Sequence, residues 1–421
     1  MKIKTKSLSY EEVLKIKPKQ FVKTTRPNLF FRTLLRVISI FDLISAKFTF
    51  KRIGMEKLNK KEPCLILMNH SSFIDMEIAQ RVMYPRPLNI VCTTDGFVGK
   101  NWLMGQIGCI PTIKFTNDLR MIRETVNAVK KLKSSILLYP EAGYSFDGTA
   151  TTLPDSVGKF IKMLKIPVVM ITTYGAYLRQ PLFNNLNKRQ FPVEATVEYV
   201  LSKEDVEAKS EQEINEIVKK LFSFDNYRWQ QENNIIIDEP NRADSLNRIL
   251  YKCPHCLNEG DLIGKGTTLT CPKCGKVYEL TENGFMKAIN GDTEIDHIPN
   301  WYKWQRECVK EEILQGTYHQ EFDVDLYMMI DSYHIYKLGD GHLVHNLDGF
   351  KLTAFDGKLD YTLDSKATYT CNSDFNWYEM GDIVSINDTK KQFYCFPKSN
   401  KDVVAKIRLA TEEIYKIKNN K

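Results

Sequence analysis

Short apolar runs alternate with helical patterns throughout residues 47–200, and this alternation restricts the fold more than any other feature of the chain. Each run is short enough to be a buried strand, and polar residues separate it from the next helical segment. Alternation of this kind predicts an α/β domain with a mixed or largely parallel sheet. The predicted strands are 64–68, 88–93, 110–115, 135–139, 167–172 and 195–200, and the predicted helices are 75–84, 102–106, 119–132 and 157–164.

The polar stretch Asn69-His70-Ser71-Ser72-Phe73-Ile74-Asp75 follows the first of these strands directly. His70 is therefore expected in a loop at the carboxyl end of a strand, where open α/β sheets bind ligands. Asp75 can fix the tautomer of the imidazole, so that the other ring nitrogen takes a proton from a substrate hydroxyl. The same residues also fit a purely structural arrangement, in which Ser72 caps the following helix and Asp75 lies in its first turn.

Three further blocks follow in order: Gly108–Lys114, Tyr139–Ser145 and Lys165–Ile171. The first ends in a cation, the second carries Glu141 just past a strand, and the third is an apolar strand. Taken singly, Lys114 fits an exposed lysine at a strand end, and Glu141 fits a solvated carboxylate in a turn.

Together the four blocks resemble those of the glycerolipid acyltransferase family, the 1-acylglycerol-3-phosphate acyltransferases and their relatives, over roughly residues 40–235. The first motif of that family, N-H-x-S-x-x-D, is matched at Asn69, His70, Ser72 and Asp75. The later blocks depart from the family. Lysine stands at the arginine position of the second motif, and Ala-Gly-Tyr replaces Gly-Thr-Arg in the third.

The resemblance implies transfer of a fatty acyl group from an acyl thioester, either acyl-CoA or acyl carrier protein, to the hydroxyl of a lysophospholipid-like acceptor. It makes His70 the general base and Asp75 the group that orients and supports its imidazolium. Because the thioester carries the activation, no redox or nucleotide cofactor is expected. The expected substrate-binding residues are Asn69, Ser72, Lys114, Glu141 and Ser145.

Tyr144 stands where the third motif of the family has arginine. A tyrosine donates one hydrogen bond and stacks, but it cannot neutralise a phosphate. We therefore expect either an acceptor less anionic than lysophosphatidate or a charge supplied by Lys114, Lys159 or Arg179.

The net charge of +7 is concentrated at the N-terminus, where residues 1–52 carry +10 and the rest of the chain carries −3. Residues 1–27 are lysine-rich and predict a loosely ordered arm with a short helix near Glu11. Residues 28–46 predict a strongly amphipathic helix whose aromatic-rich face either packs on the core or lies in a membrane interface. The resemblance favours the membrane, because the family often carries an N-terminal membrane-associating helix.

Nothing at the start of the chain reads as a signal peptide, and no apolar run is long enough to span a bilayer. Ten cysteines without such a signal suggest a reducing compartment. We therefore expect a cytoplasmic protein that is peripheral on the cytoplasmic membrane face.

Two CxxC knuckles, Cys253/Cys256 and Cys271/Cys274, are separated by fourteen residues. Four thiolates at this spacing predict a zinc ribbon with one structural zinc ion and no open coordination position. Paired redox cysteines are the alternative. His255 lies inside the first knuckle and is expected to be a loop residue.

The C-terminal part predicts a helix over 299–315, seven short strands and a final helix over 402–417, which resembles a pleckstrin-homology-like arrangement. Asp340-Gly341, Asp348-Gly349 and Asp356-Gly357 are hairpin signals between strands. The predicted strands are 322–330, 333–337, 342–346, 350–355, 359–363, 383–386 and 392–396.

The composition changes after residues 238–240 and divides the chain into four predicted parts. They are the basic arm and amphipathic helix (1–46), the acyltransferase-like α/β domain (47–240), the zinc ribbon (248–282) and the β-rich domain with flanking helices (298–421).

The altered third motif also permits a second function, in which an inactive zinc-ribbon protein binds nucleic acid or protein. Nucleic acid is the less favoured partner, because residues 257–277 lack a good platform for base stacking.

Overall fold

The computed structural model describes residues 2–18, 21–116, 118–399 and 401–419. Met1, Lys19 and Gln20 of the predicted arm, and Asn420 and Lys421 of the predicted C-terminal domain, lie outside these ranges. The N-terminal elements are strand β1 (Thr5–Ser7), helix α1 (Tyr10–Leu14) and helix α2 (Leu29–Ser45).

The next part is the predicted α/β domain, built on a seven-stranded sheet of order β2-β8-β7-β3-β6-β4-β5. Neighbouring strands are parallel except for the antiparallel pair β7 and β8, so the prediction of a largely parallel sheet is confirmed. Strand β2 was not predicted, because it is an exposed edge strand without an apolar run. The elements are β2 (Thr49–Ile53), β3 (Leu65–Met68), α3 (Ile74–Met83), β4 (Leu88–Thr93), α4 (Asn101–Gln106), β5 (Cys109–Thr112), α5 (Leu119–Lys130), β6 (Ser135–Leu138), α6 (Val157–Leu164), β7 (Val168–Tyr174), α7 (Ala176–Arg179), β8 (Glu194–Leu201), α8 (Lys203–Ala208), α9 (Glu211–Leu221) and α10 (Asn226–Glu232).

Strand β3 occupies the middle of this sheet and is buried on both faces. Leu65 and Leu67 pack with helices α5, α6 and α9 on one side, and Ile66 and Met68 pack with α2 and α3 on the other. Each fully buried side chain of this size contributes roughly 2 kcal/mol to folding. The loop that carries His70 therefore follows a fully buried strand in the middle of the sheet.

The second cysteine knuckle lies between two strands of a small antiparallel sheet and the first knuckle precedes that sheet, whereas the C-terminal part forms a larger sheet of order β16-β15-β14-β13-β19-β18-β17. Numbered within that part, the order is 4-3-2-1-7-6-5, and a helix follows the last strand. The small sheet contains β9 (Ile263–Lys265), β10 (Thr268–Thr270), β11 (Val277–Leu280) and β12 (Met286–Ala288), and the C-terminal elements are α11 (Ile298–Leu314), β13 (His319–Met329), β14 (Ile335–Asn346), β15 (Gly349–Ala354), β16 (Leu359–Asp364), β17 (Asn372–Asp374), β18 (Ile383–Asn387), β19 (Gln392–Pro397) and α12 (Val404–Lys418).

One of the three hairpin predictions is wrong. Asp340-Gly341 does not form a hairpin turn, because both residues lie within strand β14. Asp340 pairs with Asp325 of β13, and Gly341 pairs with Val324. Strands 333–337 and 342–346 are therefore one long strand, and the short strand β17 was missed. The predicted count of seven strands is reached only because these two errors compensate.

The arm that was predicted to be loosely ordered is held against the C-terminal sheet. Strand β1 pairs in parallel with β14, with Thr5 opposite Ile335, and the predicted short helix near Glu11 is present as α1. Tyr10 is buried and stacks on Phe355 at 5.7 Å. A few residues of good strand and helix-cap character thus outweigh the lysine-rich composition of the arm.

Helix α2 packs on the protein with one side, which contains both polar and apolar residues, and exposes apolar side chains on the other. Asp42 forms an ion pair with the buried Arg179 at 2.6 Å, and Ser39 is buried. Phe41 and Ile44, in contrast, are 79% and 69% exposed. Leu43 is buried in the core and Leu35 packs against it, so part of the apolar face takes the first of its two expected positions, on the core, and the rest is exposed. Among the described residues, no helix combines the length and the apolar character needed to cross a bilayer.

Candidate active site

His70 and Asp75 form a hydrogen-bonded pair at the carboxyl edge of the central strand. The His70 Nδ1 atom lies 3.1 Å from Asp75 Oδ2, and Asp75 is fully buried. A carboxylate at Nδ1 selects the tautomer with the proton on that nitrogen. The second ring nitrogen, Nε2, is then left as a base for a substrate proton.

The Asp75 carboxylate is itself held by two backbone amides. Its Oδ2 atom accepts from the N–H groups of Ser71 at 2.6 Å and Ser72 at 3.0 Å. The structural alternative, in which the Ser72 side chain caps helix α3, is wrong: the helix has no side-chain cap, and the buried Ser72 Oγ has no partner among the described residues. Because Asp75 uses these two amides, they cannot also stabilise an oxyanion.

The loop of the third motif, which contains Glu141 and Ser145, holds the backbone of His70 by hydrogen bonds. Glu141 is buried and accepts from the His70 amide at 2.8 Å and from the Thr151 amide at 2.8 Å. Ser145 donates its own amide to the His70 carbonyl at 3.0 Å, and its side chain is bonded to Thr149 within the same loop. Neither side chain lines the cavity in front of His70. Both residues position the histidine rather than face a substrate.

Burial perturbs the acids and phenols around this loop. It raises the pKa of Glu141 to about 8, against the opposing effect of the two amides that donate to it. It also raises the pKa of Tyr139 and Tyr144, so both phenols stay protonated at neutral pH. The groups with perturbed pKa values lie around the pair of His70 and Asp75, and such clustering is typical of functional sites.

Asn69 joins the His70 loop to strand β7. Its side-chain oxygen accepts from the Thr173 amide at 2.8 Å, and its nitrogen donates to the Thr173 carbonyl at 3.0 Å. The side chain is fully buried and does not line the cavity. The position favours a structural role over the predicted contact with substrate.

Two tyrosines enclose the His70 ring. Tyr139 stacks on it with ring centroids 4.1 Å apart, and Tyr144 lies on it at 4.3 Å and a tilt of 45°. Phe73 then packs on Tyr144, edge to face, at 5.9 Å. The residue at the family's arginine position is therefore an apolar wall of the histidine, and it points no cation at the site.

A cavity of about 1810 Å³ opens in front of His70. It is lined by Ser72 and Lys114 of the predicted site residues, so the structure brings these two together with the histidine. One part is apolar and is lined by side chains of α2, α3 and α4, including Leu35, Met76 and Leu103. The opposite part reaches the C-terminal domain. Arg179 does not line the cavity, because it is buried against Asp42.

The four cysteines of the two knuckles converge on one point. Their sulfur atoms all lie within 4.8 Å of one another, with 3.8 Å between Cys253 and Cys274 and 3.7 Å between Cys256 and Cys271. Tetrahedral zinc with bonds of about 2.3 Å requires sulfur separations of about this size. His255 pairs with Glu294 at 2.9 Å and stays outside the cluster, as predicted.

Comparison with known proteins gives a family match over the part of the chain that contains His70. Residues 49–174, which include His70, Lys114 and Glu141, match the family model described as Acyltransferase. This part of the chain is an acyltransferase domain. Among solved structures, the chain is similar to the 1-acyl-sn-glycerophosphate (LPA) acyltransferase PlsC from Thermotoga maritima, at 15% identity and a TM-score of 0.37, over 46% of this chain and 77% of that one. A comparison with curated proteins gave no match.

The cavity is also lined by residues that sequence reasoning did not find. Asp95 lines the cavity from the turn after β4, and Asp374 and Tyr378 reach it from the C-terminal domain. Nothing in the local sequence of β17 signals such a role, since only the tertiary arrangement brings residue 374 near residue 114. The stacking of Tyr139 on His70 was signalled only by its place in the third motif.

Proposed function

We propose that the chain transfers a fatty acyl group from an acyl thioester, acyl-CoA or acyl carrier protein, to the hydroxyl of a lysolipid-like acceptor, with His70 as general base. The observation that carries this proposal is the pair of His70 and the buried Asp75 at the head of a largely apolar cavity. The cavity offers room for an acyl chain, and the matched acyltransferase domain agrees with the reaction class.

In the proposed reaction, His70 Nε2 takes the proton of the acceptor hydroxyl while the oxygen attacks the thioester carbonyl. The negative charge of Asp75, 3.1 Å from Nδ1, stabilises the imidazolium that forms. Collapse of the tetrahedral intermediate breaks the C–S bond, and the imidazolium returns its proton to the leaving thiolate. Glu141, Ser145 and Asn69 hold the loop in place during these steps.

We further propose that the acyltransferase domain works at a membrane surface through helix α2, as a peripheral protein on the cytoplasmic face. The exposed apolar side of the helix, with Phe41 and Ile44, is what supports this. The ring of Phe31 on the same helix packs on Trp102, whose side chain is 65% exposed. The apolar part of the cavity includes Leu35 of this helix, so a lipid has a short apolar route to His70.

The four cysteines would hold one structural zinc ion. The sulfur separations fit a tetrahedral thiolate set, and four protein ligands leave no position for a substrate. Cys253 and Cys271 are fully buried within the core that joins the acyltransferase domain to the C-terminal sheet. The metal would therefore stabilise the junction between the two.

The test is an acyl transfer assay with purified full-length chain, labelled acyl-CoA or labelled acyl carrier protein, and lysolipid acceptors in mixed micelles. Mass spectrometry should detect the diacyl product and one equivalent of free thiol for each ester formed. The absence of transfer from both donors to every acceptor would contradict the proposal. Salt-dependent binding of DNA or RNA in that case would support the binding-protein alternative.

A further inference from the structure

Helix α12 of the C-terminal domain is buried on every side. All residues from 404 to 414 are buried, and they include the ionic side chains of Lys406, Arg408, Glu412 and Glu413. Charged side chains are almost never fully buried unless they are paired. The partners of these side chains therefore show which parts of the protein the helix joins.

Glu412 joins the C-terminal domain to the segment 139–152, which begins with the third motif. Its Oε2 atom accepts from the Thr152 hydroxyl at 2.9 Å, and its Oε1 atom accepts from the Thr370 hydroxyl at 2.8 Å. The guanidinium of Arg306 lies 2.7 Å from the same carboxylate. Glu412 is therefore fixed within its own domain, and Thr152 is held to this fixed point.

Thr152 directly follows a residue that holds the loop of His70. The Thr151 amide donates to Glu141 at 2.8 Å, and the other oxygen of Glu141 accepts from the His70 amide at 2.8 Å. Both amides oppose the rise in the pKa of Glu141 that burial causes, so a displaced Thr151 would favour the neutral acid. The contact between Glu412 and Thr152 is thus linked to the backbone of His70 through Thr151 and Glu141.

A second contact joins α12 to the same segment. The guanidinium of Arg408 lies over the ring of Phe146, 4.3 Å from its centroid, as in a cation–π pair. Phe146 follows Ser145, whose amide donates to the His70 carbonyl at 3.0 Å. The helix therefore contacts this segment beside both of the residues that bind the backbone of His70, Glu141 and Ser145.

We propose that Glu412 is a positioning residue for acyl transfer, which holds Thr152 and thereby keeps the His70 loop in the geometry that the reaction requires. Glu412 itself does not line the cavity. Because a displacement of about 1 Å can cost about 100-fold in rate, its effect should appear in kcat rather than in KM. This inference rests on the proposed acyltransferase function.

The first test needs no substrate. Thr152→Val replaces the hydroxyl by a methyl group, so Glu412 loses this donor alone. In hydrogen–deuterium exchange of the full chain, read by mass spectrometry, peptides that cover residues 69–75 should exchange at least fivefold faster than in wild type. The matched control Thr370→Val removes the other hydroxyl that donates to Glu412 and should leave this exchange unchanged. Peptides from strand β13 should exchange alike in all three proteins.

The second test is the transfer assay. Thr152→Val should lower kcat at least tenfold and leave KM within twofold of the wild-type value. Thr152→Ser keeps the hydroxyl, and Thr370→Val leaves the contact with Thr152 intact, so both should stay within threefold of the wild-type kcat. Because Thr152 also lines the cavity, the exchange measurement without substrate separates positioning from direct contact with a substrate.

Wild-type exchange of peptides 69–75 in Thr152→Val would overturn this inference, whatever the activity of the variant. An unchanged kcat in Thr152→Val would also overturn it, as would an equal loss of kcat in Thr370→Val. Absence of transfer by the wild type would overturn the proposed function, but not the link between Glu412 and the His70 loop, which the exchange measurement tests by itself.

Discussion

Replacement of Asp75 by asparagine separates the charge of this residue from its shape. Asp75 Oδ2 accepts from His70 Nδ1, from the Ser71 amide and from the Ser72 amide. An amide oxygen in the same place can accept all three bonds, so we expect the loop and the melting temperature to be nearly unchanged. What is lost is the attraction between the carboxylate and the imidazolium that forms only during the reaction.

The size of that loss follows from the distance. Two unit charges 3.1 Å apart interact by about 5 kcal/mol at an effective dielectric constant of about 20. Since each 1.36 kcal/mol is a factor of ten in rate, the upper limit of the effect is about 10⁴-fold. His70 is 23% exposed, and water will reduce the effect. We therefore expect Asp75→Asn to lower kcat between about 10²- and 10⁴-fold, with KM little changed because the interaction is absent in the ground state.

The measurement is steady-state acyl transfer by wild type, Asp75→Asn and the control Asp205→Asn. The control makes the same change in a carboxylate that also accepts from a backbone amide, that of Ser202 at 2.9 Å, but that does not line the cavity. The control should keep full activity. A decrease of less than tenfold in Asp75→Asn would refute the role of Asp75 as the charged partner of the base.

Three other predictions concern the zinc, the membrane and a buried ion pair. Elemental analysis of the purified chain should find one zinc ion per molecule. Cys253→Ser should lose the ion and melt at least about 6 °C lower. The control Cys308→Ser, outside the cluster, should keep the zinc and the wild-type melting temperature. Phe41→Asp should weaken binding to anionic vesicles at least about tenfold in a flotation assay, because an aromatic ring buried in the membrane contributes about 2–3 kcal/mol to binding. The control Leu314→Asp changes an exposed apolar residue on α11 and should leave vesicle binding unchanged. Arg306 and Arg408 lower the pKa of the buried Glu412 to about 2, so this carboxylate stabilises the fold above pH 4.5 and loses its contribution as the pH falls toward 2. Glu412→Gln should therefore cost about 3–5 kcal/mol of unfolding free energy at pH 7 and progressively less in acid, and a constant cost at all pH values would contradict the assignment.

The core of the fold and the reactive pair were predictable from the sequence because both depend on local patterns. Strand β3 is an apolar run, and His70 and Asp75 lie within one loop and the first turn of the next helix. The cysteine cluster was predictable for the same reason, since the spacing within each knuckle fixes two sulfur atoms at a time.

The remaining features depend on tertiary contacts that no local pattern encodes. The periodicity of α2 predicts two faces, but only tertiary contacts, such as the ion pair of Asp42 with Arg179 and the burial of Leu43, show which side of the helix packs on the protein. Glu141 and Asn69 lie in the matched motifs, yet their side chains turn to backbone amides 71 and 104 residues away along the chain. The position of Asp374 in the cavity wall could not be predicted, because it depends on how the C-terminal domain docks near Lys114.

The central claim is that His70 removes the proton of the acceptor hydroxyl. The most direct test is acyl transfer by His70→Ala beside wild type and His342→Ala, an exposed histidine of the C-terminal sheet, with melting temperatures measured for all three. We predict that His70→Ala binds acceptor and keeps its fold but loses at least about 10³-fold in kcat, while His342→Ala is unaffected. Transfer by His70→Ala at more than a tenth of the wild-type rate would contradict the account.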